Sequence, residues 1–406
     1  MPSSVVDLFV LEHSIRGEAR IPLLELGNAV GDERIANLHD PFFKTYFTDH
    51  IQAVSEGIRW ETQLRDITLA KDTDLMVGSY QEVVVRFTLT PPDSRYLHTF
   101  TFNYDVVMHR VITHSALVYV RQDWSNGIQD ENKAQQIGVI GLDVPTEKIV
   151  PLQVNLEPGS KWKGFNSMLR LGMQHIREGT DHLLFLIVLL LPAPLLARGR
   201  QWGGFGGIRY SMARLLKIVT SFTAGHSITL LAGTLGWVHL PGQPVEVLIA
   251  FSILVSAVHA IRPIFSGREI FIAAGFGLVH GLAFATVLSN LELSPGKLAL
   301  SILGFNLGIE IMQLFVIFLI VPWLLLLSKT PLYRWIRITG ALLAGIAALA
   351  WIIQRSTGKD NVVTGLVEVA ARYGVWCIAG LAAGSLALYV ATAGARRHAR
   401  LTPTSV

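Results

Sequence analysis

Apolar residues along this chain follow two different rhythms. The first runs are short, β-branched and aromatic: RIPLLELGNAV (20–30), EVVVRFTLT (82–90), HTFTFNYDVVMH (98–109), ALVYVRQDW (116–124), IGVIGL (137–142) and KIVPLQVNLEP (148–158). PPDS, SNG and PGS clusters break them, and such residues set turns. This pattern predicts an antiparallel β-sandwich, with residues 36–66 reading as more helical. Beyond it the runs lengthen. Seven stretches, roughly 179–197, 215–238, 245–265, 269–290, 298–328, 335–354 and 364–393, approach or exceed the ~20 apolar residues that cross a bilayer core. The expected fold class is therefore a polytopic α-helical membrane protein of about seven spans, preceded by a mainly β, sandwich-like domain.

Charge sharpens this division. Only 16% of the 406 residues are charged, against about 25% for soluble proteins, and the mean hydropathy is +0.44. Residues 1–165 carry 22 acidic and 15 basic groups, net −7, whereas residues 166–406 carry 8 and 19, net +11. A single soluble enzyme, a disordered chain and a coiled-coil rod are all excluded. The basic segments 198–214, Arg262/Arg268, Lys329/Arg334/Arg337 and 396–400 alternate with HLPGQP, LELSPGK and QRSTGKDN, which carry fewer positive charges. Positive segments face the cytoplasm, so the charge pattern is read as topology and no nucleic-acid partner is expected. The predicted layout is an extracytoplasmic domain (1–163), an amphipathic linker (164–178), a seven-helix domain in the inner membrane (179–395) and a cytoplasmic tail (396–406). The opening MPSSVVDLFVLEHS lacks a signal-peptide pattern, because Asp7 and Glu12 interrupt its apolar run. An export signal lying elsewhere, or another route across the membrane, is then required.

Chemistry concentrates in the second half. Cys377 is the one cysteine, so metal ligands within one chain must come from His, Asp or Glu. In the first half, His109 and His114 fall in a predicted strand, five apart and on opposite faces, and read as packing residues. Gly203–Gly207 has no GK[ST] after it and reads as a flexible loop. Small residues in GALLAGIAALA and AGLAAGSLA predict close helix packing, with a homo-oligomer left open. Ionisable groups are costly in hydrocarbon and mark function by default. The first span opens with HIREGTDHLLFL, bearing His175, Glu178, Asp181 and His182. Either its helix starts early, bringing His175 near Asp181, or Gly179 breaks it and folds His175 over the Asp181–His182 pair. Further along stand His226 and Ser227, Ser252, His280, and a face with Asn306, Glu310 and Gln313. His175, Asp181, His182, His226, His280 and Glu310 are the candidate metal ligands. Ser227, Ser252, Asn306 and Gln313 are candidates to hydrogen-bond and orient them. His259, Glu246 and the Glu368/Arg372 pair read as interfacial or structural. Imidazole with carboxylate suits Ni²⁺, Co²⁺ or Zn²⁺. No Lys or Arg is expected at the depth of Glu310.

At these motifs the chain resembles the HupE/UreJ family, in the subgroup with an extra soluble amino-terminal domain. The family's H-x5-D-H signature is met by His175, Asp181 and His182. Of F-x-x-x-H-G-x-A-H-x-x-E, Phe276, His280, Gly281 and Ala283 match, while Phe284 replaces the second His and Val287 the Glu. The resemblance covers roughly residues 164–328 and implies uptake of nickel or cobalt, with His226 and Glu310 able to supply replacement ligands.

Two functions compete on this reading. A secondary permease would catch the cation at Asp181 and His182 and pass it to His226, His280 and Glu310. A zinc-dependent intramembrane hydrolase with a ceramidase-like layout would instead hold the metal as a catalyst. A metal sensor or accessory protein is the third possibility. The expected partners are the metal ion and the lipid bilayer.

Overall fold

The computed structural model describes residues 3–74, 78–129, 134–143, 146, 148–289 and 291–401. The chain divides into two compact units, Met1–Ser167 with Leu291–Leu298, and Met168–Asn290 with Ala299–Val406.

The first unit is mainly β. One sheet runs in the order Glu61–Asp74, Gly78–Thr90, Ile15–Pro22, Ser4–Val10, Ala116–Asp123 and Gln135–Ile140. A second contains Leu152–Asn155, Thr99–Tyr104, Ile51–Ser55 and Ile58–Arg59. Period-two alternation buries one face of each strand: Ile15, Ala19 and Ile21 point inward while Arg16, Glu18 and Arg20 remain more exposed. Val6, Leu8 and Phe87 of the larger sheet share one core with Phe100, Phe102 and Val154 of the smaller. Three helices decorate it, α1 (Leu23–Val30), α2 (Asp32–Ile35) and α3 (Pro41–His50). Asp40 caps α3 by accepting from the Phe42 amide at 2.8 Å, and Pro41 fits the first turn.

Several local expectations are corrected. The opening segment forms a central strand, Ser4–Val10, pairing in parallel with Ala116–Asp123, so the sheet is mixed. Its buried Asp7 is tolerated because Arg20 and Arg121 both bind it, the latter at 2.7 Å. The run RIPLLELGNAV divides into the end of a strand and α1. The strand in HTFTFNYDVVMH stops at Tyr104, leaving His109 in a turn, stacked on His50 at 4.2 Å. His114 Nε2 meets Ser4 Oγ at 2.7 Å. The stretch 36–66 contains α3 but also strands from Ile51 onward. Segment Leu291–Leu298 also belongs to this unit: Glu292 pairs with Arg16 at 3.1 Å and Ser294 donates to Glu12 at 3.0 Å.

The second unit is helical: α4 (Lys161–Glu178), which begins in the first unit, α5 (Thr180–Leu190), α6 (Ile208–Thr234), α7 (Gly242–Ile261), α8 (Glu269–Ser289), α9 (Pro295–Leu327), α10 (Tyr333–Thr357), α11 (Val362–Arg372) and α12 (Gly374–Leu401). Among the described residues, α6, α7, α9, α10 and Gly374–Ala391 are long and apolar enough to cross a membrane. Thr180–Leu190 and Glu269–Ala285 are shorter apolar helices. The stretch 179–197 yields only the short α5 because a turn at Leu191–Pro194 ends it. A hairpin follows, Leu195–Arg198 with Gln201–Phe205, and takes up part of the glycine run expected as a loop. The stretch 364–393 is divided at Tyr373, between α11 and α12.

Two helix seams are unusually close. A Cβ on Gly225 of α6 would lie 2.1 Å from the Ala274 carbonyl of α8, and one on Gly277 would lie 2.0 Å from Phe222 O. Gly172 of α4 and Gly308 of α9 stand in the same relation to Phe305 O and Leu169 O, at 2.0 and 2.1 Å. Glycine is required there because any side chain would collide with backbone.

One prediction follows for the β unit. Burial pushes His114 from its ordinary 6.5 down to about 4. The unfolded chain therefore binds the extra proton first, and stability contributed by neutral His114 falls as pH drops from about 6.5 to about 4. Measured against the intrinsic exchange rate at each pH, the protection of strands Ser4–Val10 and Ala116–Asp123 in the full chain should fall as pH drops across that window. His114→Gln should flatten this dependence; an identical pH profile in the variant contradicts the assignment.

Candidate metal centre

The site begins at Gly179, which alone separates α4 from α5. There the chain leaves helical geometry, at φ −73° and ψ 93°. A Cβ would meet both His175 O and His182 Nδ1 at 2.7 Å. The break turns α4 back, so the His175 and His182 rings lie 4.6 Å apart. Of the two arrangements open from the sequence, the chain adopts the broken one.

His182 is 7% exposed, His280 1% and His226 fully buried. They come from α5, α8 and α6, the last two held by the Gly225/Gly277 seam. His182 and His280 ring centroids are 5.0 Å apart, and His175 and His226 are 6.4 Å apart. Phe185, Phe222 and Phe284 pack against the imidazoles, Phe284 lying 5.0 Å from His175 and stacking on Phe305 at 4.2 Å.

Hydrogen bonds orient the rings. Asp181 Oδ1 accepts from the His182 amide at 2.8 Å and lies 2.9 Å from Nδ1. Nδ1 therefore carries the proton and Nε2 the lone pair. Ser252 Oγ lies 2.7 Å from Ile249 O and 3.1 Å from His280 Nε2. Asn306 Nδ2 donates to Ile302 O at 2.9 Å, which leaves its Oδ1 to accept from His226 Nδ1 at 3.3 Å. Nε2 of His226 is then a buried lone pair with no partner among the described residues, and Nε2 of His175 is likewise buried without one.

Nε2 of His182 and Nδ1 of His280 face each other at 3.4 Å, within reach of a hydrogen bond from the second to the first. Nitrogens each about 2.0–2.1 Å from one tetrahedral ion stand about 3.4 Å apart. Among the described residues, however, no three His, Cys, Asp or Glu groups are gathered closely enough to hold an ion as placed. The arrangement is a pair of facing imidazole nitrogens with two further imidazoles beside it.

The remaining candidates are distributed differently. Asp181 is held by His182 and, through Oδ2, by Arg355 of α10 at 3.2 Å. Arg355 also donates to Glu246 O at 2.8 Å. The sequence reading missed this arginine because it falls in the polar segment QRSTGKDN, read as a loop although α10 continues through it to Thr357, and nothing local points it back at Asp181. Glu310 accepts from Thr220 at 2.8 Å, and Gln313 from Thr223 at 3.4 Å. Ser227 bonds its own helix, at Thr223 O, rather than an imidazole. His259 stacks on Phe265 at 3.7 Å and accepts from the Ile264 amide at 3.2 Å, away from the cluster. The side chain of Val287 lies outside the described residues.

A family model described as HupE / UreJ protein matches residues 152–355, which span the four imidazoles and end at Arg355. No curated protein matches the chain.

Because the outer nitrogens of His226 and His280 are fixed by Asn306 and Ser252, Asn306→Ala and Ser252→Ala should each weaken metal binding by about 10–100-fold. His182→Ala and His280→Ala should lower it further, while Glu310→Gln leaves bound metal unchanged. Elemental analysis of purified, folded variants checks this ordering. Equal metal content in wild type and both histidine variants contradicts it.

Proposed function

We propose, from the premise that the chain belongs to the HupE/UreJ family, that it is a membrane permease for a divalent transition metal of the nickel and cobalt type. The observation carrying this reading is the 3.4 Å approach of His182 Nε2 and His280 Nδ1. It supports a site built to receive a cation between His182 and His280, with His226 and His175 completing the coordination after small ring movements. Asp181 serves as the anion that orients His182, and Arg355 keeps that carboxylate in place.

Transport also needs a path away from the site. The seam between α6 and α9 offers one: His226 with Asn306, Thr223 with Gln313, and Thr220 with Glu310. These pairs place side-chain oxygens along successive turns of α6, toward its amino-terminal end. That distribution favours a permease over a hydrolase, which needs a closed three-ligand site and one open position. Binding requires deprotonated ligands, so protonation of the imidazoles lowers affinity and assists release. The proposed topology sets the β unit outside and the carboxyl terminus inside, following the positive segments Arg262/Arg268 and Lys329/Arg334/Arg337.

Radioactive nickel uptake into proteoliposomes tests the proposal. Wild type should carry nickel above empty vesicles, His182→Ala should abolish flux, and Glu310→Gln should slow flux several-fold while retaining bound metal. Tightly retained zinc without flux of nickel or cobalt contradicts the permease and favours the hydrolase.

A further inference from the structure

A second charged feature lies in the helical unit, apart from the histidines. A cavity of about 620 Å³ opens between the hairpin Leu195–Phe205, the end of α7, the residues after α9 and the start of α10, and Arg200, Arg262, Arg334 and Arg337 all line it. Among the described residues no carboxylate lines it. Its volume falls within the range of about 300–1,000 Å³ typical of pockets that hold whole ligands.

Arg337 is 5% exposed. Its Nη1 donates to the last carbonyls of α7, Ala260 and Ile261, the second at 3.0 Å, while its buried Nε has no partner among the described residues. Helix-end carbonyls satisfy only part of a guanidinium charge. Among the described residues no carboxylate forms an ion pair with Arg200, Arg262 or Arg334. Arg200, Arg262 and Arg334 are exposed around the buried Arg337, so an anion entering the cavity meets four guanidinium groups, and guanidinium forks match the paired oxygens of a phosphate. The cavity is also at the ends of three helices long and apolar enough to cross a membrane, the depth at which lipid headgroups lie.

We propose that this cavity binds a phosphate-bearing anion, held by Arg200, Arg262, Arg334 and Arg337. A phospholipid headgroup and a free phosphate share this chemistry. The site does not depend on the metal reading, and its variants should bind metal normally.

The test uses the full chain in detergent, with native mass spectrometry and thermal unfolding. The probes are phosphatidylglycerol, phosphatidylcholine and inorganic phosphate. Wild type should retain the anionic lipid over the zwitterionic one and unfold at a higher temperature with it. The triple variant Arg200→Gln/Arg262→Gln/Arg334→Gln should lose that preference by about a hundredfold, and the triple lysine variant should keep most of it. Lipid retention indifferent to inorganic phosphate supports a headgroup site. Stabilisation by inorganic phosphate, with the lipid displaced, supports a free anion. Wild type that neither prefers phosphatidylglycerol nor gains stability from either phosphate probe overturns the proposal, and so does a folded glutamine triple that binds them as wild type does.

Discussion

Nε2 of His182 and Nδ1 of His280 approach to 3.4 Å, the middle link of a buried chain that runs from Asp181 through both imidazoles to Ser252. In a low-dielectric interior such a polar chain holds only where each member has its partner. Much of the surrounding structure serves to hold it. Asp181 fixes one ring and Ser252 the other. Arg355 reaches from α10 to hold Asp181 at 3.2 Å. Elements α5, α7, α8 and α10 thus converge on one pair of nitrogens.

Backbone sterics make that convergence possible. Glycines at 225 and 277 let α6 and α8 approach until carbonyls occupy the space of absent side chains, and glycines at 172 and 308 do the same for α4 and α9. His226 and His280 are carried on the first seam, Asn306 on the second. Gly179 adds the turn that brings His175 beside His182. Small residues therefore set the positions of the large ones, and an added methyl at any of these glycines would displace the imidazoles by pushing whole helices.

Legibility differed between the halves of the chain for physical reasons. Long apolar runs survive any local detail, so α6, α7, α9 and α10 were evident from length alone. The strand Ser4–Val10 was hidden because Asp7 broke its apolar run, and the two arginines that neutralise it are remote in sequence. Similarly, RIPLLELGNAV could be read as one β run only until Pro22 ended the strand and α1 began. The H-x5-D-H spacing and the lone histidines in apolar helices marked the imidazole cluster. Nothing in a linear reading could separate Glu310, which takes its hydrogen bond from Thr220, from Asn306, which accepts from His226. Those side chains lie four residues apart on one helix, and which neighbour each meets depends on how α9 is rotated against α6.

The central claim is that a divalent metal enters between these imidazole nitrogens. X-ray absorption spectroscopy of the nickel-loaded full chain reports the ligand shell directly. The account predicts at least two imidazoles, with their characteristic ring scattering, and nitrogen neighbours at about 2.1 Å. A shell of oxygen ligands without imidazole scattering would contradict it.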